Sequence, residues 1–342
     1  AYMGVWFNGE ERVFLKKIEK NGKVHFDAIP NIPIYGQRIE DLGKFKREDL
    51  KPTHSLKTVF KAIRSHIAAN STGTTRDEMI AQQIINLVFC KIYDERFTKP
   101  EEIVTFRAGL EENPEEVKER ITELFKAVQA KYKDVIEVTD KISLDAESVR
   151  YVVGELQNFC IIESERDVIA DAFETFIGYS LKGPQGQFFT PRNVVKLMVD
   201  IINPQPDELI IDPACGSGGF LVESLRHIWK ILEQKGKDYG WSESALLEEK
   251  HAAAIKSIFG IEKDDFLSKI AKAYMAIIGD GKGGIFCDNS LKSPGDWKNA
   301  TNQKIRLDSF DVVLTNPPFG KEIKVTGEEM LRQYNLAYKW DK

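Results

Sequence analysis

The sequence predicts an α/β protein: a doubly wound parallel sheet in the carboxy-terminal half, preceded by an all-helical domain and a short amino-terminal β meander. Three observations predict it. After residue 183, short apolar runs alternate with helical stretches, the pattern of a parallel sheet with helical crossovers. Between about Ser55 and Ser180, apolar residues recur at i, i+3 and i+4, the spacing of amphipathic helices. Before that, two Asn-Gly pairs separate apolar runs, the strongest short-range hairpin signal.

The meander comes first. Val5-Trp6-Phe7 leads through Asn8-Gly9 to Val13-Phe14-Leu15, and Asn21-Gly22 precedes Val24-His25-Phe26. Three strands this short bury little by themselves. The chain also opens within an apparent strand, as expected of a piece of a longer polypeptide. Pro30, Pro33 and Pro52 mark an irregular linker that closes this region at residue 52.

The helical domain is expected over 53–182. Leu56, Val59, Phe60, Ile63 and Ile67 define one stripe, and Ile80, Ile84, Ile85, Val88, Phe89 and Ile92 a second. Asn113-Pro114-Glu115-Glu116 predicts a helix start, with proline at the first position and acids in the first turn. Further helices are expected near 146–158 and 166–180. Their charges read as solvated faces.

At Gly183-Pro184-Gln185-Gly186-Gln187 the composition breaks, and 183–342 is the α/β domain. Strands are expected at Leu209-Ile210-Ile211, at Ile258-Phe259-Gly260-Ile261, at Gly284-Ile285-Phe286 and over 310–314. Helices fit 191–202, 218–233, 243–256 and 264–279.

Composition narrows the function. Of 342 residues, 42% are hydrophobic and 30% charged, with 48 Lys+Arg against 53 Asp+Glu, an ordinary soluble balance. No apolar run approaches the roughly 20 residues of a membrane span, and the start lacks a basic segment followed by a long apolar one. Cys90, Cys160, Cys215 and Cys287 stand far apart without a CxxC pair, which argues against a zinc ribbon or a disulfide framework and for a reducing cytoplasm. A formal net charge of −5 argues against a large basic DNA-wrapping surface.

Five segments carry chemistry. In Leu209-Ile-Ile-Asp-Pro-Ala-Cys-Gly-Ser-Gly-Gly-Phe220, Gly216, Gly218 and Gly219 permit a tight turn and a close approach to a ligand beyond the strand end. Asp212 there disfavours a pyrophosphate and favours a cation, such as the sulfonium and ammonium of S-adenosylmethionine. By itself the turn also fits any α/β protein in which Asp212 caps a helix. Glu262, in Phe259-Gly-Ile-Glu-Lys-Asp-Asp265, is placed to accept ribose hydroxyls or to cap the next helix. It follows Asp212 by 50 residues, where ~20 is usual, and the excess reads as an extra helix. In Cys287-Asp288-Asn289-Ser290, Asp288 suits an adenine amino group with Asn289 nearby, or an ordinary loop turn.

Asp311-Val-Val-Leu-Thr-Asn-Pro-Pro-Phe319 is the sharpest segment. Pro317 and Pro318 end the strand and stiffen the loop. An exocyclic amino group is a poor nucleophile because its lone pair is delocalised into the ring. The Asn316 side-chain oxygen and the Pro317 carbonyl can accept its two N–H bonds and localise that pair. Phe319 can stack on a flipped base, worth roughly 1–3 kcal/mol. The alternative is a proline-ended strand with a buried Phe. Upstream, Gly186-Gln-Phe-Phe-Thr-Pro191 fits a helix start with Thr190 as N-cap and Pro191 first in the helix.

Taken in order, GQFFTP, DPACGSGGF, GIEKDD, CDNS and NPPF resemble the S-adenosylmethionine-dependent amino-methyltransferases, and most closely the N6-adenine DNA methyltransferase subunit of type I restriction–modification systems. The resemblance covers about 55–320. It implies a Rossmann-like doubly wound fold. Phe188, Phe189 and Thr190 would line the methionine end of S-adenosylmethionine, and Asp212 with the Gly216–Gly219 turn would hold it. Glu262 would take the ribose, and Asp288 and Asn289 the adenine. Asn316, Pro317, Pro318 and Phe319 would hold a flipped target adenine in double-stranded DNA. No metal is implied. The implied partners are a specificity subunit, further methylation subunits and a restriction subunit. The family continues beyond NPPF with more strands, so a sheet ending at Lys342 is expected to be incomplete at its carboxy terminus. The meander at 1–35 is untypical of the family and resembles the tail of a nuclease-type amino-terminal domain.

Two other functions compete. Glutamine-N5 and RNA amino-methyltransferases face the same nitrogen problem, although the glutamine enzymes usually end their tetrad in Tyr. A catalytically silent assembly fragment, meeting other subunits through its helices, is the second.

Overall fold

The computed structural model describes residues 2–8, 12–33, 38, 41–71, 76–133, 135–164, 190–279, 284–318 and 328–334. The chain divides into two compact units, Ala1–Lys182 and Gly183–Lys342.

The first unit opens with an antiparallel sheet of β1 (Met3–Phe7), β2 (Arg12–Lys20) and β3 (Lys23–Ile29), in that spatial order. Asn21 and Gly22 both adopt positive φ, 53° and 72°. A two-residue hairpin turn that matches strand twist requires this, and it explains the Asn-Gly pair. Lys20 faces Lys23 directly across it. Phe14 pairs with Val5 on one side and Ile29 on the other, and Phe14 and Ile29 are buried. Trp6, Val24 and Phe26 stay exposed.

Helices follow: α1 (Leu56–Asn70), α2 (Asp77–Phe97), α3 (Pro114–Lys131) and α4 (Ala146–Leu156). α1 buries Leu56, Val59, Phe60, Ile63 and Ile67, the stripe read from spacing. Each such side chain contributes roughly 1.5–3 kcal/mol relative to exposure. α2 is buried on almost every side, polar positions included, as a central helix must be. Its Lys91 and Glu95 form a fully buried pair, 3.3 Å apart. Glu95 also accepts the amides of Ile161 and Ile162, each at 2.9 Å, so the buried charge is compensated. The Asn113 side chain caps α3 through the Glu115 amide, and Asp145 caps α4 through that of Ser148. The meander rests on α4 through the buried Glu155 carboxylate, which accepts from Arg12. A Cβ at Gly154 would lie 2.2 Å from the Pro30 carbonyl oxygen, so this contact requires glycine. The expected helix at 166–180 and the break at 183–187 lie outside the described residues.

The second unit is a parallel sheet of β4 (Ile210–Asp212), β5 (Ile258–Glu262), β6 (Ile285–Cys287) and β7 (Val312–Val313) in the order β6-β5-β4-β7. The chain runs outward from β4 to β6 and then returns to the other side of β4. Between β4 and β7 the winding therefore reverses, and ligands of such sheets bind outside the strand ends at that point. The helices are α5 (Arg192–Ile202), α6 (Gly219–Tyr239), α7 (Glu243–Lys256), α8 (Asp265–Gly279) and α9 (Asn299–Lys304). α6 and α8 pack on the strands. Ile211, Ile261, Phe286, Trp297 and Ile305 form a buried cluster, edged by Phe259 and Phe310.

Three of the boundaries that differ from the sequence expectation have a local cause. α6 runs to Tyr239 rather than 233 and stops at Gly240, whose φ of 66° makes it the left-handed terminator. Gly236 does not stop it, because it packs beside Trp241 and Leu246. β7 holds two residues of the five expected. Its approach is tied instead by Asp311, whose amide donates to Leu209 O and whose carboxylate accepts from Leu209 N. α5 begins at Arg192 with Pro191 as its N-cap, so Thr190 does not cap it. Among the described residues no helix is long and apolar enough to cross a membrane.

Candidate active site

Four chain segments meet at the carboxyl ends of the strands. The first follows β4. Asp212 is buried at the strand's last residue, and its Oδ1 accepts the Ala214 amide at 3.0 Å. The turn bends back so that the Cys215 amide donates to Ile261 O at 3.0 Å, which fixes it to β5. Gly216 and Gly218 have φ of 53° and 89°, a region costly to residues with a Cβ. A Cβ at Gly216 would meet nothing within 4 Å, so open space lies over the turn.

The second segment is the end of β5. Glu262 Oε2 accepts the Gly216 amide at 2.8 Å and Oε1 the Asp264 amide at 2.8 Å. Glu262 therefore holds the glycine turn as well as its own loop. Each oxygen keeps a lone pair for a ligand hydroxyl. Gly260, in the middle of β5, has no room for a side chain: a Cβ would lie 2.6 Å from Leu221 Cδ1 and 3.0 Å from Cys215 Sγ.

Burial pushes the Asp212 carboxyl up to about 6. The Thr315 hydroxyl and the Ala214 amide oppose that rise, and the charge of Glu262 adds to it. Burial and the same two acids drive the Cys215 thiol well above its usual value, so it stays neutral and serves packing.

The third segment follows β6. The Asp288 amide donates to Glu262 O at 2.9 Å. Its Oδ2 accepts the Lys298 amide at 2.7 Å and the Thr301 hydroxyl at 2.9 Å, and its Oδ1 the Asn289 amide at 2.9 Å. Burial opposes ionisation, but these donors hold the carboxyl below its ordinary value. Asp288 thus ties the loop to the start of α9, and Oδ1 keeps one lone pair for a ligand. Asn289 Oδ1 accepts the Leu291 amide at 3.1 Å.

The fourth is the end of β7. The Leu314 amide donates to Ile211 O at 3.1 Å, and Thr315 carries the chain past Asp212. Asn316 Nδ2 then donates to Thr190 Oγ1 at 2.9 Å. Pro317 and Pro318 are exposed. The structure therefore brings Thr190, Asp212, Gly216, Gly218, Glu262 and Asn316 to one end of the sheet, with Asp288 and Asn289 on its β6 side. Phe188, Phe189 and Phe319 lie outside the described residues. Sequence reasoning missed Thr315 and Gly260. The position of Thr315 directly before Asn316 at a strand end is the one signal that points to it.

The doubly wound sheet, with its glycine turn after the first strand and acids at the next strand ends, is an α/β methyltransferase fold. It overlays a modification subunit assigned to a type I restriction enzyme from Vibrio vulnificus YJ016, with a TM-score of 0.53 at 19% identity over 84% of this chain and 64% of that one. A chain from a study of complex assembly in the type I R-M system gives 0.50 at 18% identity, over 80% and 56%. Residues 164–339 match the sequence profile described as N-6 DNA Methylase, and the chain belongs to that family. The methylase subunit of the type I restriction enzyme EcoEI from Escherichia coli is 30% identical over 176 residues, covering 50% of this chain and 32% of that protein. The MjaIX methylase subunit of Methanocaldococcus jannaschii is 30% identical over 193 residues, covering 55% and 29%. The chain spans about a third of the length of these curated relatives.

Proposed function

We propose that this chain is the methylating part of a type I restriction–modification system, acting on the N6 amino group of adenine in double-stranded DNA. The observation that carries it is the arrival of Asn316 at the switch point beside the Asp212–Gly216 turn. The acid side of that crevice suits a cationic, hydroxylated ligand. Two carboxylates flank a glycine turn with open space over it, a pair of anionic acceptors that repels a phosphate and attracts a sulfonium and an ammonium.

S-adenosylmethionine, when bound there, supplies an electrophilic methyl group. Asp212 and the Gly216–Gly218 turn hold its methionine part, with Thr190, Phe188 and Phe189 at the same end. Glu262 accepts from the ribose, and Asp288 and Asn289 meet the adenine. On the other side, Asn316 Oδ1 and the Pro317 carbonyl accept from the target amino group and localise its lone pair. Pro318 stiffens the loop, and Phe319 stacks on the flipped base. Positioning does most of the catalysis. DNA sequence is read by a separate specificity subunit, in keeping with a net charge of −5; further methylation subunits and a restriction subunit complete the assembly.

The test is methyl transfer from labelled S-adenosylmethionine to DNA by the complex that carries this chain, followed by nucleoside analysis. N6-methyladenine is expected. Label on cytosine, on RNA or on a protein glutamine would sink the assignment.

A further inference from the structure

Asn316 can serve an amino group only in one orientation. Its side chain presents an oxygen and a nitrogen of nearly equal size. With the oxygen outward it accepts an N–H; turned over, it opposes donor to donor. Pro317 and Pro318 have no N–H to offer, so these two residues supply no donor to the amide oxygen.

The nitrogen is instead held from a distance. Thr190, 126 residues upstream, accepts from Asn316 Nδ2 at 2.9 Å. Thr190 stands on a firm base. Pro191 follows it, which keeps the residue before a proline extended. The Pro191 carbonyl accepts the Val194 and Val195 amides at 2.9 and 3.0 Å at the start of α5. α5 is in turn anchored by buried Val195 and Val199. The hydroxyl is also released from helix capping, because α5 makes no side-chain cap bond.

We propose that Thr190 is the positioning residue of the methyl-transfer site: its hydroxyl holds the amide nitrogen of Asn316, so that the amide oxygen faces the amino group to be methylated. The inference rests on the adenine-N6 function proposed above and gives Thr190 a role on the substrate side rather than on the cofactor alone. With a target amino group in place, both ends of the amide are satisfied, N–H to Oδ1 on one side and Nδ2–H to Oγ1 on the other. A hydroxyl can also donate, so its part is to anchor the side chain: in the arrangement seen here it accepts from Nδ2 and leaves Oδ1 outward, and without it the side chain loses that anchor.

The test uses the methylating complex that carries this chain and DNA containing its site. Thr190→Val keeps the shape and removes the hydroxyl. The kcat at saturating cofactor and DNA is expected to fall about 10²-fold, the loss that a misplaced reacting group brings. The Kd for S-adenosylmethionine, measured by calorimetry, reads any cofactor contact of Thr190 separately, so the fall in kcat at saturation is the part that reports on Asn316. Thr190→Ser restores the hydroxyl and most of the rate. Thr190→Val added to Asn316→Ala costs nothing further, because the two residues act as one unit.

A normal kcat in Thr190→Val overturns the inference. So does weakened cofactor binding with kcat at saturation unchanged, which makes Thr190 a cofactor contact only. If the unaltered complex methylates no adenine, the proposed function itself fails. The hydrogen bond is then judged by whether Thr190→Val shifts the Asn316 side-chain amide NMR signal, assigned through Asn316→Ala; an unmoved signal also overturns the inference.

Discussion

Glu262 Oε2 accepts the Gly216 amide at 2.8 Å, so the acid at the end of β5 holds in place the turn that follows β4. Glu262→Ala leaves two amides, those of Gly216 and Asp264, without their acceptor. Both bonds are part-buried, and a hydrogen bond to a charged group contributes roughly 1.5–3 kcal/mol. The expected result is a lower Tm together with loss of cofactor binding, read by thermal unfolding and calorimetric titration. Unchanged binding would remove Glu262 from the site.

The stability of the ligand-free chain should fall as pH rises through the window below Asp212's raised value of about 6. The unfolded carboxyl titrates near 4. Between those values the folded state holds a proton that the unfolded state has lost, so folding is favoured at the acid end and weakened above it. At neutral pH the penalty is about 3 kcal/mol at 1.36 kcal/mol per unit. Asp212→Asn is therefore expected to raise Tm at pH 7.5, with the gain gone near pH 4, while S-adenosylmethionine binding weakens sharply. A lower Tm at pH 7.5 would contradict it.

Gly260→Ala tests the packing beneath the turn. The added Cβ would meet Leu221, Cys215 and Ile285 at 2.6–3.0 Å, an overpacking that typically costs about 1–3 kcal/mol. Chemical denaturation should register this as a lower midpoint with an unchanged slope.

Asn316→Ala is expected to lower kcat by about 10²–10³, as removal of one oriented polar group does, with calorimetric S-adenosylmethionine affinity nearly intact. Equal loss of both would place Asn316 in the cofactor site instead.

Much of this architecture could be read from the chain. Asn21-Gly22 specifies its hairpin because the turn needs positive φ at both residues. The α1 stripe appears at the spacing its burial follows. Asp212, Glu262 and Asn316 each fall at the end of an apolar run, and parallel strands bring such ends to one edge. What escaped depends on tertiary competition. Thr190 has the local pattern of an N-cap, yet its hydroxyl is engaged by an amide far along the chain, and no local rule ranks those two partners. Asp288 likewise looks like a free loop acid, while its carboxylate serves Lys298, Thr301 and Asn289. β7 is short because Asp311 and Leu209 exchange hydrogen bonds ahead of it, a pairing visible only once β4 and β7 are neighbours.

The strand order β6-β5-β4-β7 also gives the crevice a direction. The acids at the strand ends, Asp288, Glu262 and Asp212, hang from β6, β5 and β4, whereas β7 delivers Thr315, Asn316, Pro317 and Pro318, none of which ionises. Among the described residues, one flank is electrically charged and the other neutral. A cationic ligand is drawn to the charged flank, while the neutral flank is left to receive an uncharged amino group. Salt and pH then act on the two flanks unequally: the charged flank feels both, while the neutral one, whose work is done by an amide and a hydroxyl, is insulated from them.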